Sequence, residues 1–394
     1  MAGTVAGDLA GGLILGTLPL AVPAHGGGPL LIGLVSAAVT GWWILAIPLG
    51  AFVDRRGCGP VLTVATALRC AAVVVLAAGA LRPGAGVELL LGAGALAYGL
   101  ASTGTDIAAA VAPVRLLDPA AYDEVYALLY VSSRVAGLAA GPAAGAALFA
   151  VSPTLPFAAG GACLALSCFT FVRLRRPLAD VEGPPPAAER RRVWAGVAVI
   201  RNDAFLRPVA ITLIGVAMAE ETVATVVAPY FRGGHAAGPW MPLLGALRGV
   251  SGAVSIGAAL AAGRLARRFR LHRVLIAVAT LGAFCPALMA IGPGLLTVGA
   301  ALVLSACTEA IWVPLVQSET ARRTPAHLVA RTRATITFIV WGSLPLTSTA
   351  AGALAQLIGI PVTLTLASVL AFTSCLFGVW WPVITGTGVG QRHH

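Results

Sequence analysis

The sequence predicts an all-α membrane protein, a bundle of twelve transmembrane helices in two six-helix halves. Three observations carry that expectation. The 394 residues are 58% hydrophobic and only 10% charged, with a mean hydropathy of +0.90, whereas a water-soluble chain carries roughly 25% charged residues to wet its surface. Twelve apolar runs are each long enough to cross a hydrocarbon core of about 30 Å as a helix. The arginines collect on alternate loops between those runs. Such a composition excludes a secreted disulfide scaffold, a cytosolic enzyme and an ordinary DNA-binding protein.

In chain order the expected spans are 5–24, 29–53, 60–81, 87–113, 124–150, 153–173, 208–231, 239–263, 273–291, 294–317, 333–357 and 360–382. The first is the weakest, being short and Gly-rich. Period-two alternation is absent, which argues against strands. The N-terminal run lacks a positively charged start, so it reads as a span rather than a cleaved signal peptide. All 26 basic residues are Arg. With loops assigned alternately and both termini on one side, twenty-one arginines fall on that side. Only Arg82 and Arg232 fall opposite, and Arg69, Arg134 and Arg248 lie within spans. The positive-inside rule then places both termini in the cytoplasm and the chain in a plasma or inner membrane. Lipid is one expected partner and nucleic acid is not, because the arginines sit in short loops.

Three segments are expected: a first half over 1–174, a cytoplasmic linker over 175–207 and a second half over 208–394. The linker contains Gly183-Pro184-Pro185-Pro186, a stiff extended piece. Trp194, Val197 and Ile200 follow at helical spacing, as in an amphipathic helix lying on the membrane surface. The halves echo each other. Gly50, Asp54 and Leu62 match Gly263, Arg267 and Leu275 at an offset of 213 residues. His25-Gly26-Gly27-Gly28-Pro29 matches His235-Ala236-Ala237-Gly238-Pro239, and Pro119 matches Pro325. The seven cysteines form no CxxC pair and read as small buried apolar side chains, so neither a metal nor any other cofactor is expected.

Gly50-Ala51-Phe52-Val53-Asp54-Arg55-Arg56-Gly57, after span two, resembles the G-x-x-x-D-R-x-G loop signature of the major facilitator superfamily. Gly137, Gly141, Pro142 and Gly145, in span five, resemble the glycine–proline motif of its antiporter branch. Gln317 through Arg331, followed by Trp341-Gly342-Ser343-Leu344-Pro345-Leu346, is similar to the branch of macrolide-efflux and enterobactin-exporter proteins. The resemblance covers essentially the whole chain. It implies a monomeric secondary transporter that exchanges a small-molecule substrate for protons. It also implies that Asp54 meets the N-terminus of span eleven as a breakable latch. There are departures: Arg267 stands where the second signature would have its acid, and span four lacks the arginine of many proton-driven drug antiporters.

The residues themselves leave alternatives open. Asp54 and Arg55 could be a latch or a helix-ending surface turn. Ser133, Gly137, Gly141 and Gly145 recur every four residues, as either a pivot between halves or a tight packing stripe. Charges inside spans cost about 2.5–3.5 kcal/mol each at the bilayer centre on insertion scales. Asp106, Arg134, Glu220, Glu221, Arg248 and Glu309 are therefore candidates for a proton or substrate pathway, or else for static ion pairs. Glu220 lies about 20 Å from the cytoplasmic end of its helix and Arg248 about 22 Å, so a pair between them is feasible. Asp106 and Arg134 could pair in the first half. Asp8 reads as interfacial and Arg69 as snorkelling. No metalloprotease, nucleophile-elbow or Walker pattern is present, and all six His lie outside the spans. The expected function is export of a small organic molecule, drug-like compound, antibiotic or siderophore; uptake of a metabolite and a non-transporting scaffold or receptor are the alternatives.

Overall fold

Inside lipid there is no water to bond a free backbone N–H or C=O, so apolar runs of this length satisfy themselves as helices. The computed structural model describes residues 2–24, 38–39, 41–81, 87–181, 194–234 and 240–380. Among these residues there is no strand. The helices are α1 (Ala2–Ala24), α2 (Ala46–Arg56, entered by a 3-10 turn at Gly41–Leu45), α3 (Cys58–Leu81), α4 (Val87–Leu116), α5 (Tyr122–Ser132), α6 (Gly141–Val151) and α7 (Leu155–Val181). The short α8 (Ala195–Asn202) precedes α9 (Leu206–Gly234), α10 (Trp240–Phe269), α11 (Leu271–Ala290) and α12 (Leu295–Arg323). The chain finishes with α13 (Val329–Trp341), α14 (Leu344–Ile358) and α15 (Ile360–Cys375). Among the described residues, eight segments are long and apolar enough to cross a membrane. The loops 25–29 and 235–239, the start of span two, Arg82, the 183–186 run, Arg190 to Arg192 and Arg392 lie outside the described residues.

Two expected spans are interrupted. Span five passes from α5 through a π-helical segment, Ser133–Ala140, into α6. Span eleven breaks between α13 and α14. A proline stands in the first turn after each interruption, Pro142 and Pro345; a proline lacks the N–H that would continue the upstream ladder. Both spans are preceded by a single 3-10 turn, Pro119–Ala121 and Ala326–Leu328.

Contacts divide the chain into two units. The first is Met1–Val125, Leu129–Gly196 and Thr324–Thr335; the second is Tyr126–Leu128, Val197–Arg323 and Ile336–His394. Within the first, α1 packs on α7 and α6, α3 packs on α4 and α7, and α2 packs on α4. Within the second, α9 packs on α15 and α14, α11 on α12 and α15, and α10 on α12. Counted by span, these are the same five pairings in each six-helix half. Ile14, Leu76, Leu91, Tyr98 and Phe157 anchor the core of the first unit, and Leu206, Leu275, Trp312 and Leu315 that of the second. Leu89, Val151, Leu296, Leu346 and Leu357 are strongly exposed, which suits a surface solvated by lipid tails. Several buried hydroxyls are satisfied locally: Thr17, Thr103, Thr105 and Thr212 each donate to the carbonyl four residues earlier, the usual device for a polar side chain on a helix.

In the linker, Trp194 and Val197 are exposed whereas Ile200 is buried in the core of the second unit. The seven cysteines are all free thiols, and Cys58, Cys285 and Cys375 are buried.

Candidate functional site

The signature after span two forms a clasp on the first turn of α13, all within the first unit. Asp54 ends α2 with its side chain fully buried. Its Oδ1 accepts the backbone N–H of Ala330 at 3.2 Å, and its Oδ2 accepts that of Arg331 at 3.1 Å. The Arg331 Nε lies 3.5 Å from Oδ2, with that side chain also fully buried. Helix N-termini leave their first N–H groups without intrahelical partners, so a carboxylate there meets both bare donors and the positive end of the dipole.

Glycines let the helices approach. A Cβ on Gly50 would collide with Ala334 Cβ and the Ala330 carbonyl, and one on Gly196 would lie 2.8 Å from the Thr332 nitrogen. Gly57 closes α2 with φ 86° and ψ 149°, and its N–H donates to Val53 O at 2.9 Å. Only glycine enters that backbone region without strain. Arg270, which follows Gly57 by the same 213 residues that relate Asp54 to Arg267, also has positive φ, 62° with ψ 126°. Arg55 and Arg267 are exposed.

The span-five glycines meet α1. A Cβ on Gly141 would come within 2.6 Å of Gly12 Cα, and one on Gly145 within 2.6 Å of Leu13 O. Gly137 faces the Asp8 carbonyl more loosely, at 3.6 Å, and Pro142 abuts Gly16. Near this seam sits a charged cluster. Ser132 Oγ donates to Asp8 Oδ2 at 2.6 Å. Arg69 is only 4% exposed and turns inward. Its Nη2 donates to Gly7 O at 3.0 Å and to Tyr98 Oη at 2.7 Å, and its guanidinium carbon lies 5.0 Å from the Tyr98 ring centre. Asp106, on α4, is within electrostatic reach of Arg69, Asp8 and Arg333. Arg134, in the π-helical segment, stacks on Tyr130 at 4.9 Å.

In the second unit, Glu220 and Glu221 are half-buried on α9, Glu309 is half-buried on α12, and Arg248 is exposed on α10. Glu220 acts electrostatically on Cys285 of α11. At the end of α12, Glu319 pairs with Arg322 at 2.9 Å and Arg323 at 3.1 Å, and Arg323 stacks on Phe205 at 4.4 Å.

The family model described as Major Facilitator Superfamily matches residues 1–345. The chain belongs to that superfamily. Solved facilitator-type structures share its fold. The human organic anion transporter MFSD10 (TETRAN) is 18% identical, with a TM-score of 0.77 over 95% of this chain and 97% of that one. A bacterial homologue of the iron transporter ferroportin in an outward-facing state is 14% identical, with a TM-score of 0.78 over 97% and 98%. The proton:xylose symporter XylE is 13% identical, with a TM-score of 0.68 over 96% and 94%. No curated protein matches the chain. This facilitator is a multi-pass membrane protein with the fold of a membrane transporter.

Reading the sequence singled out the Asp54 signature, the glycine stripe and most embedded charges, but it set Asp8 and Arg69 aside. The structure instead turns Arg69 inward and binds Asp8 to span five. Gly196 went unnoticed, because nothing in an Ala-Gly-Val stretch marks which helix it touches.

Proposed function

We propose that this facilitator exports small organic molecules, such as drug-like compounds, antibiotics or siderophores, across an inner membrane by proton antiport. It works as a monomer, with both termini in the cytoplasm. The observation that carries the alternating-access part is the pair of backbone N–H bonds from Ala330 and Arg331 to the buried Asp54 carboxylate. A transporter needs two states of similar energy that ligands can bias. Hydrogen bonds to a charged group contribute about 1.5–3 kcal/mol each, enough to hold one state and little enough to break in each cycle. The direction rests on the likeness of Gly137, Gly141, Pro142 and Gly145 to the antiporter motif. Asp106, Glu220, Glu221 and Glu309 are the embedded carboxylates available to carry the proton.

The test is efflux of a fluorescent cationic dye from an efflux-deficient host expressing the protein. Asp54→Asn keeps one acceptor but turns an amide N–H₂ toward the second backbone donor, so transport should fall to background while membrane insertion is retained. Wild-type efflux in Asp54→Asn removes the latch, and energised accumulation instead of loss replaces export with uptake. Glu220→Gln and Glu221→Gln should differ, because adjacent helical positions point about 100° apart. Unchanged pH-dependent efflux in both eliminates them as proton carriers.

A further inference from the structure

Arg248 lies about 22 Å from the cytoplasmic end of its helix at the α-helical rise, well inside the hydrocarbon core, and it is exposed. Arginine stays charged in proteins, and a charge at that depth needs water or a partner. Among the described residues no hydrogen bond, ion pair or ring contact holds its side chain; only its carbonyl is used, by the Ser251 hydroxyl at 2.9 Å. The pair with Glu220 that their matching depths allow is not formed.

The exposure is not to lipid. Leu244, Ser251, Ser255, Ala259, Ala262 and Ala266 are the buried residues along α10. At 100° per residue each lies within about 60° of Arg248 around the helix. The strongly exposed Val250, Val254 and Leu260 point at least about 120° away from it. Arg248 therefore stands on the face that α10 turns toward its packing partners, not on the face bathed by lipid tails. The space beside it is open. Gly245 lies one turn before Arg248 and Gly252 one turn after, on the same side of the helix. A Cβ on either would meet nothing within 4 Å. A guanidinium without a partner thus borders room for one.

We propose that Arg248 recognises an anionic group, a carboxylate above all, on the molecule this facilitator carries. This rests on the export reading and names the chemical class of its substrate. The planar fork of a guanidinium matches a carboxylate through two parallel N–H bonds. Away from bulk water that contact is stronger than at an exposed surface. The bare backbone at Gly245 and Gly252 leaves the approach clear. The phosphate of a lipid head group offers the same chemistry, so the test has to separate the two sources.

Rhodamine 110 and rhodamine 123 share one ring system; the first carries a free carboxylate and the second its methyl ester. Binding of each to the full-length protein in phosphatidylcholine nanodiscs is followed by fluorescence anisotropy. Wild type should bind the carboxylate dye about 10-fold more tightly than the ester, and Arg248→Gln should level the two, as loss of one charge-assisted contact does. Arg248→Lys, which keeps the charge without the fork, should retain part of the preference. No preference in wild type, or an equal preference in Arg248→Gln, overturns the proposal. By scanning fluorimetry the unfolding midpoint of Arg248→Gln should stay level or rise, because an unpaired charge is removed. A clear fall would reveal a structural ion pair and overturn the proposal as well. Repeating the binding in phosphatidylglycerol nanodiscs identifies the source. A preference that persists supports a substrate, and one that vanishes gives the site to lipid phosphate and overturns the assignment. Efflux of the two dyes from expressing cells separates the readings. If neither dye is exported while the binding preference stands, the export reading fails and Arg248 remains an anion site; if both are exported without any preference, only the present proposal fails.

Discussion

The turn after span two and its counterpart after span eight show what a single residue contributes. Gly57 and Arg270 occupy equivalent positions, and both have positive φ. Glycine adopts that conformation freely, whereas a residue with a Cβ holds it at a cost of about 1–3 kcal/mol. Gly57→Ala should therefore destabilise the protein by that amount and lower the unfolding midpoint in detergent by several degrees. Arg270→Gly should leave the midpoint level or raise it, because relief of strain offsets the extra freedom of glycine in the unfolded chain. Scanning fluorimetry of both variants checks this, and a Gly57→Ala protein as stable as wild type would show that the turn does not need its glycine. The repeat offset pairs these two positions, but an arginine at the second gives no hint in the sequence that its backbone is left-handed.

At the scale of the element, the span-five stripe was legible as glycines every four residues, while its partner was not. The stripe meets Gly12, Leu13 and Gly16 of α1, the run that looked least like a helix. Small residues on both faces let two backbones come together, so the glycines that weakened the prediction of span one are what that contact requires. Gly141→Val should push α1 away and sharply lower the yield of folded protein by size-exclusion chromatography. Gly257→Ala on α10, where a Cβ meets nothing within 4 Å, should instead be neutral or stabilising by up to about 1 kcal/mol. Equal yields from the two variants would mean that close approach at Gly141 is unimportant. The interruptions at Ser133–Ala140 and between α13 and α14 were not foreseen. Hydropathy reports how long an apolar run is but not whether its hydrogen-bond register shifts part-way along.

For the whole molecule, the twelve apolar runs and the near-constant repeat offset made the fold readable, and the same five helix pairings recur in each half. The charged cluster was less readable, because Asp8, Arg69, Asp106 and Arg333 lie far apart in the chain and no local pattern joins them. The arginine asymmetry acts at this largest scale and makes its own prediction. Moving a guanidinium across lipid is costly, so by the positive-inside rule the loops carrying Arg55, Arg56, Arg173, Arg264, Arg267, Arg268, Arg322 and Arg323 should stay on the side where the chain is made. A tag at either terminus should be reached by a membrane-impermeant reagent only after permeabilisation. A tag inserted beside Arg82, on the sparsely charged side, should be reached in intact cells. Labelling of a terminal tag in intact cells would reverse the orientation. It would then put the Asp54 clasp on the outer face, and the latch proposed there would have to gate the outside instead of the cytoplasm.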